Sequence, residues 1–388
     1  MYANNMISIL NYYTTRFGEL WEQSLFDLVE ETVHRVLEQA GIDKQQIDAI
    51  FFANMLAGVL ENNLHSPSKI AEIMKVNIPI FRVEAACASG GAAFHLAKNY
   101  LENHQEKTVL VVGAEKMTDY SPEETTIALS SAASGEEQEA GLTFPGLYAM
   151  IANYYLEKYH YTEESLAYVS VKNHFHGSLN DKAHFRKKIT IKDVLTSPYI
   201  AYPLKVLDSS PISDGASAIV LSNNKSLIKK RKHFVSVLGS ELATDSISLS
   251  KRKRLDEIPA TKIAAEKVFK KTKLERKQIN IAELHDCFSI AEILAMEDLG
   301  FWEKGKGGKR IKELSTMYGS GGKLITNTSG GLKAAGHPVG ATGIKQIGEI
   351  FLQLTNQATN RQVKNAHYGL AHNVGGSGGT AVVTMLGI

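Results

Sequence analysis

Apolar residues recur at intervals of three and four near the start of the chain, and this spacing predicts an amphipathic helix. The positions run from Leu25 to Ala40, and Gly41 follows them as the expected stop. The segment IDKQQIDAIFFA then predicts a turn that leads into an apolar strand. The same order returns later, where IAAEKVFKKT predicts a helix and LERKQINIAELHD predicts a turn and a strand. The chain is therefore predicted to be internally duplicated.

Three more pairs of segments repeat in the same order. CASGGAAFHLAKNYL is matched by GATGIKQIGEIFLQL, TVLVVGAEKM by NAHYGLAHNVGG, and DGASAIVLS by GGTAVVTML. Strands that alternate with helices predict the α/β class, with helices packed on mixed sheets. Residues 119–203 have no counterpart in the second half and are predicted to form an inserted loop domain over a site. The two halves are then residues 1–118 plus 204–230 and residues 231–388.

Composition and charge restrict the function classes. The chain has 388 residues, with 43 Lys and Arg against 41 Asp and Glu, which gives a net charge of +2 and no general argument for nucleic-acid binding. No run of about 18 apolar residues predicts a membrane span. The first residues lack the basic start and apolar block of a signal peptide, and the final MLGI is not a peroxisomal signal. We therefore expect a cytoplasmic protein.

Cys87 is the first candidate for chemistry, because an apolar strand ends just before it and a helix is predicted to begin immediately after it. The positive end of a helix dipole favours a thiolate, which is the nucleophilic form of cysteine. The alternative is a small buried core cysteine, since free cysteines are among the most buried residues. The candidate partners of Cys87 favour the nucleophile.

His337 follows a glycine-rich turn in NTSGGLKAAGHPVGATG, where Pro338 fixes the backbone and Gly343 is predicted to open the next helix. A rigid turn of this kind can aim an imidazole at a thiol, and a Cys–His pair is the usual arrangement for nucleophilic catalysis. The alternative is a phosphate-binding loop, but the glycine spacing fits neither a dinucleotide fold nor a P-loop.

Two further segments carry polar residues next to predicted strands. In ELHDCFS, His285 and Cys287 are expected to share one face of a strand while Asp286 faces the other way. A metal site built from His285, Cys287 and a third residue is an alternative, although the spacing is not typical of zinc. In AHNVGGSGG, Asn373 precedes glycines whose backbone N–H groups could approach a ligand as an oxyanion hole requires.

Taken together, these segments resemble the thiolase superfamily over nearly the whole chain, and the most specific motif is GHPVGATG with its upstream NTSGG. The resemblance implies two duplicated halves in five αβαβα layers, with a loop domain inserted in the first half. It also implies that Cys87 is the nucleophile that becomes acylated and that His337 activates it. His285 then helps His337 to hold the thioester oxygen of an enolate, and the Gly375 and Cys87 N–H groups form a second oxyanion hole.

The sequence departs from most of the family at one point. Where many thiolases carry a second catalytic cysteine in a CxG motif, this chain has Asn373 followed by Val374 and Gly375. The motif HDCF offers Cys287 instead, and this substitution resembles the sterol-carrier-protein-type thiolases and their archaeal and bacterial relatives. The resemblance therefore implies that Cys287 is the acid and base.

The implied activity is that of a coenzyme A thiolase, either Claisen condensation of acetyl-CoA or thiolysis of 3-ketoacyl-CoA in lipid and fatty acid metabolism. Its partners are acyl-CoA and coenzyme A, it needs no metal or redox cofactor, and it forms a homodimer or homotetramer. The alternatives are a ketoacyl or hydroxymethylglutaryl-CoA synthase, or a binding or channelling subunit without turnover. The basic runs KSLIKKRKHF and SKRKRLDE are predicted to be solvated turns, with CoA phosphates as the other explanation.

Overall fold

The computed structural model describes residues 6–388. The prediction that the first residues are not a signal peptide falls partly on residues 1–5, which lie outside the described part of the chain. No helix within the described residues combines the length and the apolar character that crossing a membrane requires. The helices and strands are, in chain order, β1 (Ser8–Thr14), α1 (Leu25–Ala40), β2 (Ala49–Ala53), α2 (Ser66–Met74), β3 (Ile80–Val83), α3 (Ser89–Asn103), β4 (Thr108–Glu115), α4 (Pro122–Ser130), α5 (Gly135–Glu139), α6 (Phe144–Tyr159), α7 (Glu164–Gly177), α8 (Ile191–Thr196), β5 (Tyr199–Ala201), β6 (Leu204–Lys205), β7 (Gly215–Ser222), α9 (Lys225–Lys229), β8 (Val235–Thr244), α10 (Pro259–Thr272), β9 (Ile281–Glu283), α11 (Ser289–Asp298), α12 (Gly307–Arg310), β10 (Ile325–Thr326), α13 (Gly331–Ala335), α14 (Val339–Leu354), β11 (Tyr368–Gly375) and β12 (Thr380–Gly387).

Ten of the strands form one mixed sheet in the order β10-β9-β11-β12-β8-β1-β7-β4-β2-β3. Read outwards from the central β1–β8 pair, the first half is β1-β7-β4-β2-β3 and the second half is β8-β12-β11-β9-β10. The strands of the two halves therefore follow the same order. In each half the two outermost pairings are parallel, β2 with β3 and β4, and β9 with β10 and β11, and the remaining pairings are antiparallel. The predicted internal duplication is confirmed.

The helices cover both faces of each half of the sheet. Helices α3 and α14 pack against each other and against strands of both halves, so they form the central layer. Helix α1 covers the outer face of the first half, and α10 covers that of the second. Successive residues of β4 serve opposite faces, because Val111 belongs to the central core and Val112 to the outer one. The layers follow the predicted αβαβα order.

The two central helices approach each other through glycines. A Cβ atom on Gly343 would lie 2.2 Å from the side-chain oxygen of Asn373 and 2.3 Å from the amide nitrogen of Gly91, so no larger residue fits there. Helix α14 begins at Val339, directly after Pro338, rather than at Gly343 as predicted. Gly343, the second glycine of the GATG motif, is therefore needed for close packing of the two helices and not for starting α14.

The segment between β4 and β7 forms helices α4 to α8 and the small β5–β6 hairpin. Tyr148 and Tyr155 of α6 pack in one core with Phe288, Ile290 and Ile293, next to and within α11 of the second half. The hairpin spans residues 199–205, so the predicted boundary at residues 203–204 cuts through it. These helices cover the end of the sheet at which the candidate chemical groups lie.

A buried carboxylate ties α6 to the second half of the chain. Asp256 accepts hydrogen bonds from Lys158 at 3.1 Å, Tyr159 at 2.6 Å and Arg254 at 2.7 Å. Burial raises the pKa of Asp256, but these hydrogen bonds outweigh burial and hold its pKa well below the usual range. The prediction of a solvated turn is wrong for the neighbouring Arg252, whose side chain is buried.

Asp256→Ala is expected to lower the free energy of unfolding at pH 7 by roughly 2 kcal/mol. This is less than the 3–5 kcal/mol typical of a broken buried ion pair, because Lys158 and Arg254 remain 34% and 41% exposed and can be hydrated. Because the folded pKa is depressed, the stabilisation is present above the unfolded pKa and is lost as pH falls below it. Urea unfolding at pH 7 and pH 3 measures both effects, and an equal loss at the two values would contradict this account.

Candidate active site

Side chains from separate parts of the chain converge at one end of the sheet. Ligand atoms of Cys87, His285 and His337 all lie within 4.8 Å of one another. They come from the turn before α3, the segment after β9 and the turn before α14. The two imidazole rings are nearly perpendicular, with centroids 5.1 Å apart. Residues separated by up to 250 positions in sequence thus form one compact group. It contains His285 but not Cys287, which the sequence offered together with His285 as a metal ligand.

Cys87 is presented by a tight turn that leads into α3. Ala86 has a left-handed backbone with φ of +51°, which is strained for a residue with a side chain. The hydroxyl of Ser89 stabilises this turn, since it accepts a hydrogen bond from the Ala85 amide and donates one to the Ala86 carbonyl. Ala88 occupies the N-cap position of α3, so Cys87 lies just before the helix N-terminus, where the sequence predicted it.

Burial and the helix terminus act on the Cys87 thiol in opposite directions. Burial raises the pKa of the thiol to about 12, and the backbone N–H groups of Gly376 and Cys87 oppose this only in part. A thiol with a raised pKa attacks readily only when a base takes its proton. Cys87 therefore needs a nearby group that can act as that base.

His337 has the hydrogen-bonding pattern of such a base. Its Nδ1 lies 2.7 Å from the hydroxyl of Thr342, and that hydroxyl donates to the Pro338 carbonyl at 2.9 Å. The hydroxyl hydrogen is thus already used, so Nδ1 must carry the proton and Nε2 must be the bare acceptor. Nε2 is buried without a partner among the described residues. Burial lowers the pKa of His337 to about 3, which keeps the ring neutral.

Thr342→Val is expected to lower kcat about 10- to 100-fold for the acyl transfer that the thiolase resemblance implies. The substitution keeps the shape of the side chain but removes the acceptor for His337 Nδ1–H, and a hydrogen bond to a group that becomes charged contributes about 1.5–3 kcal/mol. Thr342→Ser retains the hydroxyl and serves as the matched control. Steady-state kinetics of both variants measure the effect, and an unchanged kcat in Thr342→Val would show that Thr342 does not set the tautomer.

His285 has the opposite pattern and presents a donor. The side-chain amide of Asn373 donates to His285 Nδ1 at 3.2 Å, so the proton of the neutral ring resides on Nε2. That Nε2 is also buried without a partner in residues 6–388, and burial lowers the pKa of His285 well below its usual value. Asn373 also donates to the Cys87 carbonyl at 2.9 Å and accepts from the Gly91 amide at 3.0 Å. Asn373 therefore orients the site.

Cys287 lies beside this group. The strand β9 ends at Glu283, so His285 and Cys287 are not on a strand as predicted. They nevertheless face the site, while Asp286 turns away and accepts a hydrogen bond from the Leu332 amide at 2.7 Å. Tyr148 packs in the same core as Cys287 and lines the same cavity. Burial, and after it the nearby Cys87, raise the pKa of the Cys287 thiol.

The glycine turn after β11 lies next to Cys87. Gly376 lowers the pKa of the Cys87 thiol through its backbone and lines the cavity described below. Gly375, the predicted donor, packs on the Ala85 backbone, because a Cβ atom there would lie 2.4 Å from the Ala85 carbonyl oxygen. The Gly376 carbonyl also accepts a hydrogen bond from Tyr148 at 3.1 Å, which fixes the turn.

A mostly apolar cavity of about 540 Å³ opens onto these groups. Cys87, Cys287 and His337 form its polar end. The inserted segment and the residues beside the site form the remaining wall, which includes Met117, Leu129, Phe144, Tyr148, Phe185, Ile200, Val206, Ile212, Phe288 and Val339. A cavity of this size and character suits a small organic ligand with an apolar part, positioned by a few polar groups.

Three residues of the site were missed in the sequence. Thr342 stands inside the GATG motif five residues after His337, and its contact depends on how α14 starts. Tyr148 lies in the inserted segment, and only folding brings it to Cys287. Gly376 was one of several glycines that sequence alone does not distinguish. The spacing of the motifs does not predict these contacts. The Thr342 hydroxyl, five residues after His337, could nevertheless have indicated a hydrogen-bond partner for the histidine.

Comparison with known proteins agrees with this geometry. The domain described as "Thiolase, N-terminal domain" matches residues 7–225, and "Thiolase C-terminal domain-like" matches residues 242–388. An acetyl-CoA acetyltransferase of Methanothermobacter thermautotrophicus is 43% identical over 97% of this chain and 98% of its own. One of Methanocaldococcus jannaschii is also 43% identical, over 98% of both chains. Human sterol carrier protein 2 is 31% identical over 92% of this chain and 67% of its own length.

Solved structures show the same fold. An Ltp2-ChsH2(DUF35) aldolase aligns with a TM-score of 0.80 at 22% identity, covering 99% of this chain and 98% of that chain. The Acat5 thiolase from Ascaris suum, in complex with coenzyme A, aligns with a TM-score of 0.72 at 16% identity over 98% and 99%. The resemblance noted in the sequence is confirmed, and the chain belongs to the thiolase family of acyltransferases.

Proposed function

We propose that this protein is a coenzyme A thiolase that transfers acyl groups through Cys87 and joins or cleaves acetyl units in two half-reactions. The observation that carries the proposal is the convergence of Cys87, His285 and His337 within 4.8 Å at the polar end of an apolar cavity. The acetyl-CoA acetyltransferases of similar sequence support acetyl-CoA as a substrate.

In the first half-reaction, the Cys87 sulfur attacks the thioester carbonyl while its proton moves to His337 Nε2. The donors proposed for the tetrahedral oxyanion are the backbone N–H of Cys87 and that of Gly375 in the glycine turn beside it. The C–S bond to coenzyme A then breaks, and Cys287 gives its proton to the leaving thiolate. The products are acyl-Cys87, free coenzyme A, a Cys287 thiolate and a protonated His337.

In the second half-reaction, the Cys287 thiolate removes a proton from the methyl group of acetyl-CoA. The C–H electron pair forms an enolate, whose oxygen accepts hydrogen bonds from Nε2–H of His285 and of the now protonated His337. The enolate carbon attacks acyl-Cys87, the bond to Cys87 breaks, and His337 returns its proton to the sulfur. Both cysteines are thiols again, and thiolysis is the same sequence in reverse.

The test is cleavage of acetoacetyl-CoA by purified protein in the presence of coenzyme A, with intact-protein mass spectrometry in parallel. We expect two acetyl-CoA per turnover and, without coenzyme A, an acyl adduct that peptide mapping locates on Cys87. Cys87→Ser is the matched blank for both readouts. If a series of 3-ketoacyl-CoA substrates gives neither cleavage nor an adduct, the proposal fails.

Several finer features belong to the same proposal. We propose a cytoplasmic homodimer or homotetramer that acts in lipid or fatty acid metabolism without a metal or redox cofactor. A partner enzyme for channelling is part of the same proposal. We also propose the three-part organisation of the chain, with the loop domain extended beyond residue 203 to include the β5–β6 hairpin. Mass measurement in solution tests the oligomeric state directly.

A further inference from the structure

A cluster of buried charged groups adjoins Cys287, and the mechanism above does not use it. Lys172 of α7 forms an ion pair with Glu292 of α11, and both side chains are fully buried. The amide of Asn173 joins this pair to Asp286, since it donates to Asp286 at 2.6 Å and to Glu292 at 2.8 Å. The cluster thus reaches the residue immediately before Cys287.

Lys333 is the cation of this region that has no hydrogen-bond partner. Its side chain is fully buried, and its Nζ contacts no acceptor among the described residues. The two other buried lysines nearby are both satisfied, because Lys172 pairs with Glu292 and Lys345 donates to Ser329 and to the Gly331 carbonyl. Burying an amine without a hydrogen-bond partner costs free energy of folding. The position of Lys333 therefore indicates that the buried amine serves a function.

The groups that interact electrostatically with Lys333 come from several elements. They are the carboxylates of Asp208, Asp286 and Glu292, the Cys287 thiol, and His174 of α7. Burial lowers the pKa of Lys333, whereas the three carboxylates and the Cys287 sulfur favour its charged form. Of these groups, Cys287 is the one proposed to change charge during the reaction.

The backbone holds Lys333 and Cys287 in fixed relation. Asp286 accepts hydrogen bonds from the Leu332 amide at 2.7 Å and the Lys333 amide at 3.4 Å, so the start of α13 is bound to the residue beside Cys287. Gly331 permits this contact, because a Cβ atom there would lie 2.2 Å from the Asp286 carboxylate.

We propose that Lys333 is a positioning residue whose buried ammonium stabilises the thiolate form of Cys287 between the two half-reactions. This inference rests on the proposed role of Cys287 as acid and base. No bond forms to Lys333: the substrate proton moves to the Cys287 sulfur, and the C–H electron pair goes to the enolate. The ammonium offsets the negative charge that the sulfur carries until that proton arrives, and it counters the neighbouring Asp286 carboxylate.

The test measures the reactivity of Cys287 against pH, in a Cys87→Ser background where Cys287 is the remaining thiol. Iodoacetamide is the probe, since Cys287 lines the cavity, and mass spectrometry gives the alkylation rate between pH 6 and pH 10. We expect Lys333→Met to shift the profile upward by at least about one pH unit, which lowers the rate near pH 8 about tenfold. Lys333→Arg should restore much of the rate. An unchanged profile in a folded Lys333→Met protein overturns the proposal.

Two controls separate charge from structure. Lys116→Met removes another buried cation, paired with Asp214 in the first half, and should leave the profile of Cys287 unchanged. Lys333→Gln tests the same charge if the Met variant does not fold, as judged by thermal unfolding.

A second readout separates failure of this inference from failure of the proposed function. With Cys87 intact, Lys333→Met should still form acyl-Cys87 but exchange the methyl protons of acetyl-CoA at least about tenfold more slowly. Normal exchange in this variant would contradict the role of Lys333 alone. Absence of acylation and exchange in the wild-type protein would instead contradict the proposed function.

Discussion

His337→Ala is expected to lower the rate of Cys87 acylation by about 10⁴-fold. The thiol has a pKa of about 12 and is not ionised at neutral pH, so the attack depends on a base placed to take its proton. His337 Nε2 is the unpartnered acceptor that converges with the sulfur. Condensation should fall further, because the same nitrogen becomes a donor to the enolate oxygen, and one lost donor costs about 10²–10³ in kcat.

His285→Ala is the comparison that separates the two roles. His285 presents a donor and takes no part in ionising Cys87, so this variant should acylate within about tenfold of the wild-type rate while condensation falls by about 10²–10³. Rapid quenching followed by mass spectrometry measures acyl-Cys87, and steady-state assays measure condensation. Equal losses of acylation in the two variants would contradict the division of roles.

The pH dependence provides a check on the same assignment. Because burial lowers the pKa of resting His337 to about 3, the base form persists well below neutrality. The acylation rate should therefore not fall between pH 8 and pH 6 through protonation of His337, as it would for a histidine with the ordinary value near 6.5. A decline that titrates near pH 6.5 and disappears in His337→Ala would show that the ring is more hydrated than its burial indicates.

The sequence predicted the features that depend on local pattern. The spacing of apolar residues predicted helix α1 and its end at Gly41, where the backbone is left-handed. The repeated segments predicted the duplicated sheet, because each half buries its strands on both faces and therefore repeats the same apolar pattern. The polar motifs paired Cys87 with His337, and the resemblance to thiolases added His285 to them before any distance was known.

Features that depend on the environment of a group could not be predicted in this way. The pKa of Cys87 is set by burial, which is a property of the assembled layers and not of the helix that follows the cysteine. The buried neighbours of Cys287, among them Lys333, come from segments far apart in the chain. Local sequence contains no signal for such contacts.

Cys287→Ala is expected to separate acylation from proton abstraction. A thiolate leaves readily, since thiol pKa values lie near 8.5, so loss of the acid should slow Cys87 acylation only modestly. Removal of a methyl proton from acetyl-CoA has no such help, and losing its base should lower exchange and condensation by about 10²–10⁴. Deuterium uptake into acetyl-CoA in D₂O measures this step, and the acyl adduct on Cys87 in the same sample shows that the variant is folded and binds substrate.

The comparison with Cys287→Ser sharpens the result. Serine nearly preserves the volume of the side chain and its contact with Tyr148, but an alcohol is a far weaker acid than a thiol. If the role of Cys287 is to cycle between thiol and thiolate, serine should fail almost as completely as alanine. If its role is to fill space beside Phe288, serine should restore exchange. Normal exchange in either variant would require a different base, and within the cavity His337 would be the residue to test next.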